Sequence, residues 1–93
     1  MVGEFVIVRA GGAGVHCGTL TESGGQAVVL TDSRRIWRWR GASTLNELSL
    51  HGASEEYTRI SEPVDRILLL TGLEVIPCTQ EAQKNLSRSR WGM

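Results

Sequence analysis

Residues 4–31 read EFVIVRAGGAGVHCGTLTESGGQAVVLT, and this stretch decides the fold class. Its first six residues, EFVIVR, are rich in β-branched and aromatic types and predict a strand. Gly11-Gly12-Ala13-Gly14 follows, a sequence suited to a turn because glycine tolerates positive φ. Residues 15–21 then alternate, with Val15, Cys17 and Thr19 on one face and His16, Gly18 and Leu20 on the other. Ser23-Gly24-Gly25 signals a second turn, and residues 26–31 (QAVVLT) a third strand. Three strands joined by short glycine-rich connections predict an antiparallel meander.

Beyond it, Asp32-Ser33 interrupts the pattern, and residues 34–40 (RRIWRWR) resume an extended one. Residues 42–52 predict a short helix, with Ser43 as N-cap, Leu45 and Leu48 on one stripe and Gly52 just past the end. Residues 52–61 are polar and read as a loop. Residues 66–76 (RILLLTGLEVI) are the most apolar stretch. Gly72 argues against one long helix there and leaves a buried strand, or two short strands with a bulge or turn at Thr71-Gly72. Pro77 closes the segment. Thr79 then caps a helix over 80–88, with Glu81 in the first turn, Ala82 and Leu86 as its apolar stripe, and Arg88 and Arg90 at its end. The expected fold is α+β: a small antiparallel β-meander, curled or closed into a partly open barrel, with two short helices. One domain over residues 1–93 is expected from the length.

Composition excludes several classes. Ten Lys and Arg balance ten Asp and Glu, which disfavours a globally basic DNA-binding domain. Hydrophobic residues at 41% exclude disorder as the general state. No apolar run is long enough to span a membrane. The N-terminus carries Glu4 and lacks a basic region, so it does not read as a signal peptide, and a cytoplasmic location is expected. Cys17 and Cys78 form no C-x-x-C pair and read as small buried apolar residues. His16 and Cys17, adjacent on a strand, point to opposite faces and cannot share a metal. Neither a metal nor a cofactor is implied.

The chemistry is concentrated in residues 34–40. This segment holds four of the nine Arg and two of the three Trp. A guanidinium grips phosphate through a planar fork of donors, and an indole stacks on a base. Arg34, Arg35, Trp37, Arg38, Trp39 and Arg40 are therefore candidate ligand-binding residues, with His16 beside them. Strict alternation would put Arg35, Trp37 and Trp39 on one face and Arg34, Ile36, Arg38 and Arg40 on the other. The competing reading is structural: both indoles cap a small core and the Arg stems pack over them. A genome rich in G and C would also favour Arg over Lys.

Other motifs carry less. Residues 11–14 could converge backbone N–H groups on a phosphate, but a strand follows them and no Lys-Ser/Thr completes a phosphate loop, so a plain hairpin turn is favoured. There is no Gly-x-Ser-x-Gly, and Glu55-Glu56 and Glu62/Asp65 read as solvated loop charge. No catalytic residue is assigned and the chain is read as a non-enzyme.

The ordered motifs Val15-His16-x-Gly18-Thr19-Leu20, Val29-Leu30-Thr31, Arg34-Arg35-Ile36-Trp37-x-Trp39-x-Gly41-Ala42, Leu45-x-Glu47-Leu48-x-Leu50-x-Gly52 and Glu74-Val75-Ile76-Pro77-Cys78-Thr79 run along nearly the whole chain. Arg59-Ile60-Ser61-x-Pro63-Val64 and Trp91 extend them. This set resembles a family of small uncharacterised proteins of phages and prophages. The resemblance implies a phage setting and, for proteins of this size, action by binding. One expectation is a homo-oligomeric sponge that holds a small anionic nucleotide, a cyclic nucleotide or ADP-ribose-type immune signal, between subunits. The alternative is an inhibitor that docks on a host protein through its Arg/Trp patch; an RNA or DNA binder is the weakest reading.

Overall fold

A computed structural model describes residues 1–54 and 56–88. Arg90, Trp91 and Glu55, noted above, lie outside the described residues. Strands β1 (Phe5–Ala10), β2 (Gly14–Gly24) and β3 (Ala27–Arg38) form the antiparallel meander. Helix α1 (Leu45–His51), strands β4 (Arg59–Ile60), β5 (Val64–Leu69) and β6 (Gly72–Pro77), and helix α2 (Gln80–Arg88) follow. The architecture is a six-stranded, mostly antiparallel sheet that does not close, with two short helices.

Sheet order is β4-β3-β2-β1-β6, and β5 also pairs with β3. The long β3 thus carries β5 along residues 28–33 and β4 near its far end. The apolar stretch 66–76 divides into two strands that do not pair with each other: β5 pairs with β3 and β6 with β1. The link between them crosses the mouth of the curl. Gly72 pairs with Ala10 at the end of β1, and its N–H also donates to the Gln26 carbonyl at the start of β3. A Cβ there would meet the Val28 side chain at 2.9 Å, so the crossing requires glycine.

Each sheet face has its own core. Val6, Val8, Ala10, Leu20, Val28, Leu30 and Leu69 fill the inside of the curl. Ile7, Cys17, Ile36 and Ile60 pack on the other face against Leu48 of α1, Leu86 of α2 and Ala53. β1 is buried on both faces, which explains its unbroken apolar run.

Three local expectations need correction. Asp32-Ser33 does not end a strand; β3 runs through it as a bulge. His16 pairs with Arg35 and Thr19 with Thr31, so β3 holds one residue more than β2 over this span. Asp32 absorbs it in the left-handed region at φ 49°, a conformation Asp tolerates better than most residues. Second, the cap of α1 is Thr44, whose hydroxyl accepts from the Glu47 N–H, and not Ser43; the Ser43 N–H instead donates to the Glu47 carboxylate. Third, the polar segment 52–61 is not all loop, because Arg59 and Ile60 pair with β3. Thr79 caps α2 as its sequence predicts.

Candidate functional site

The bulge at residues 32–33 sets the geometry of the site. One extra residue inverts the faces of β3 beyond it. Leu30 therefore faces the curl and Ile36 the helices, although both are even-numbered. Arg34 follows Ile36 to the helix side. Its Nε donates to the Ser61 carbonyl at 2.7 Å, and its terminal nitrogen to the carbonyls of Leu86 and Ser87 at 3.1 and 3.3 Å. Arg34 thereby caps the C-terminal end of α2 and ties it to the β4–β5 link, a structural role with its donors directed at backbone.

Arg35 points the other way, opposite His16. Beyond it the register shifts again, between Ile36 and Arg38. Trp37 occupies this second bulge and is 55% exposed. Arg38 comes opposite Arg59, and both project from the face away from Ile36 and Ile60. The alternation read from sequence is thus broken: Arg38 joins the side of Arg35, and Trp39, past the strand end, packs with the helix-side core rather than with Trp37. The Arg38 guanidinium lies 5.2 Å from the Trp37 ring centroid, and that of Arg40 lies 5.6 Å from the Tyr57 ring. Tyr57 is 54% exposed, and the sequence reading did not single it out.

Next to Arg35 a cleft of about 200 Å³ opens where β4 ends and β5 begins. His16, Ser33, Arg35, Ser61, Glu62, Val64 and Ile67 line it. His16 is 1% exposed and its Nε2 lies 2.8 Å from the Ala13 carbonyl. A carbonyl only accepts, so Nε2 carries the proton and the neutral ring holds its lone pair on Nδ1. Burial pushes the His16 pKa down, the bond to Ala13 opposes this, and the nearby Arg35 charge pushes it further down. The ring is neutral at pH 7. Ser61 Oγ accepts the Arg35 backbone N–H and donates to the Glu62 carbonyl. Ser33 Oγ is buried and has no hydrogen-bond partner among the described residues. In the sequence Asp32-Ser33 reads as a break, which hides Ser33; a polar pair inside a strand pattern is equally the mark of a bulge.

The glycine turn and the two thiols are less well placed for chemistry. The Gly11 N–H donates to the Thr71 carbonyl and the Ala13 N–H to Ala10, so the glycine turn does not gather its donors for an anion. Burial pushes the thiols of Cys17 and Cys78 up to about 12, which leaves them unreactive as nucleophiles. Among the described residues, no three His, Cys, Asp or Glu side chains gather as a metal site, and no helix is long and apolar enough to cross a membrane.

No curated protein and no solved structure matches the chain. One family model does, described as a domain of unknown function (DUF6948), and its match covers residues 3–86. Since the match takes in the whole sheet, α1 and most of α2, the chain belongs to the DUF6948 family.

Proposed function

We propose that this protein is a non-enzymatic binding protein for a small, anionic, nucleotide-derived ligand of the cyclic-nucleotide or ADP-ribose type, held without turnover. The observation that carries this reading is the face shared by Arg35 and Arg38, with the exposed Trp37 in the bulge between them in sequence and its ring 5.2 Å from the Arg38 guanidinium. An exposed indole presents a stacking surface, and guanidinium groups beside it complement phosphate. The absence of overall positive charge fits a small ligand better than a nucleic acid, whose binding gains from an extended positive field. The phage setting implied by the motifs makes the ligand an immune signal and the protein a counter-defence sponge in the cytoplasm of a bacterial host. Exposed Leu68, Leu70 and Leu73 around the β5–β6 link fit association between copies, which would deepen a shallow site.

The test is thermal stabilisation across a panel of cyclic mono- and dinucleotides, ADP-ribose and its cyclic isomers. A sponge gains several degrees with one class, by mass action, and releases that ligand intact on heating. No shift with any member removes the reading. The second reading, an inhibitor of a host protein, draws on the same residues, because exposed Trp, Tyr and Arg are the types enriched at interface hot spots. It requires one specific partner whose capture nucleotides do not disturb.

A further inference from the structure

Ser33 offers the sharpest clue to what enters the cleft. The residue is 2% exposed and its hydroxyl is buried and unpartnered among the described residues, a condition that costs stability unless something completes it. The chain goes out of its way to hold it there. Asp32 takes a left-handed backbone, and Gly18 opposite leaves the room for the bulge. Bulges re-aim side chains in this way beside functional sites.

The polar inventory of the cleft defines its complement. The residues that line it offer as donors the Ser33 hydroxyl and the Arg35 guanidinium, and as acceptors Nδ1 of neutral His16, the Ser33 oxygen and the Glu62 carboxylate. Val64 and Ile67 supply apolar wall. A bare oxyanion would use the donors and set its charge against Glu62 and a lone pair. A group bearing both a phosphate and free hydroxyls satisfies both sets. A carboxylate accepting from ribose hydroxyls is a recurrent arrangement in nucleotide sites. The volume of about 200 Å³ lies below the roughly 300–1,000 Å³ of pockets that enclose whole ligands, so a fragment enters and the rest stays outside.

We propose that this cleft takes the ribose-phosphate portion of the ligand, with Arg35 and Ser33 on the phosphate and His16 and Glu62 on the sugar hydroxyls, while the base lies outside towards Trp37. This rests on the nucleotide reading and narrows it. Ligands with free ribose hydroxyls, the ADP-ribose type, are preferred over those whose 3′ oxygen is esterified in a phosphodiester.

The experiment titrates the protein with ribose 5-phosphate, inorganic phosphate and ribose, followed by calorimetry and by the His16 ring signals in NMR. Ribose 5-phosphate should bind about tenfold or more tightly than inorganic phosphate and shift His16. Ser33→Ala should weaken it by a similar factor without lowering the melting temperature, and Glu62→Gln, a change at an exposed residue, should weaken it with the melting temperature unchanged. Inorganic phosphate binding as tightly as ribose 5-phosphate overturns the proposal, as does unchanged binding in both variants. If ribose 5-phosphate fails while a panel nucleotide still binds in a Trp37-dependent way, the cleft assignment falls and the nucleotide reading stands. If neither binds, both fall.

Discussion

Gly18 and Ser33 touch backbone to backbone: a Cβ on Gly18 would stand 3.2 Å from the Ser33 Cα and 2.9 Å from the Thr31 carbonyl oxygen. The second distance is shorter than real Cβ contacts, and the atom it meets is backbone, which cannot swing away. Gly18→Ala must therefore push the bulge outward. The expected loss is about 2 kcal/mol, the scale of overpacking a tight interior, read as a lower denaturation midpoint. Because the bulge places Ser33, ligand affinity should fall with it. An unchanged midpoint would show that the bulge yields freely and does not hold Ser33 in place.

His16 makes stability depend on pH. Burial, with Arg35 adding to it, holds its pKa below the ordinary 6.5. The unfolded chain therefore takes up this proton at a higher pH than the folded one. Well above pH 6.5 neither state carries it and the group contributes no slope. From pH 6.5 downward the unfolded state binds more protons, so stability falls with acid, by at most about 1.4 kcal/mol per pH unit, until the folded ring also titrates. Melting temperatures across this range should fall more steeply for the native protein than for His16→Gln. Parallel curves would mean that the imidazole titrates alike in the folded and unfolded chains, and burial does not lower its pKa.

The meander and both helices are legible in the sequence because each rests on a local signal, glycine turns or a Thr79 cap, and Gly72 amid apolar residues leaves the division of 66–76 as one of two readings. The site is not legible to the same degree. Its geometry depends on two bulges, and a bulge is set by pairing with another strand. Counting by twos from Arg34 therefore placed Arg38 and Trp39 on the wrong faces, because Trp37 is an inserted residue opposite β4. Pairing of β5 with β3 and β6 with β1 is equally non-local; it brings Ser61, Glu62 and Val64 to Ser33 across some thirty positions. His16 and Arg35 do come together as the sequence suggests, because alternation on β2 is unbroken there and pairing places them directly opposite.

Arg34 separates structure from binding within the cationic segment. Its three bonds to the carbonyls of Ser61, Leu86 and Ser87 join β3, the β4–β5 link and the end of α2. Charge-assisted bonds of this kind are worth roughly 1.5–3 kcal/mol when a partner is left behind. Arg34→Ala should cost about 2 kcal/mol and speed hydrogen exchange along α2 before the rest of the sheet opens. Arg35→Ala should leave stability nearly unchanged and reduce ligand affinity. Equal destabilisation by both would remove the distinction.

The two indoles of the segment should part company in the same way. Trp39 is half-buried and packs against the helix-side core with Ala42, Leu45 and Cys78 nearby in the same cluster, whereas Trp37 is 55% exposed in its bulge. Truncating a fully buried Trp costs roughly 3–5 kcal/mol, and Trp39 buries part of that surface, so Trp39→Ala should cost about 2 kcal/mol. Trp37→Ala removes surface that folding leaves largely in water, and its cost should stay within about 1 kcal/mol. The ligand response should follow the opposite order, since only an exposed ring can stack on a base. Denaturation midpoints and affinities measured on the same two variants settle the matter jointly. A large stability loss in Trp37→Ala, with affinity lost only in proportion to unfolding, would make the indole part of the core and leave the cationic face without its stacking surface.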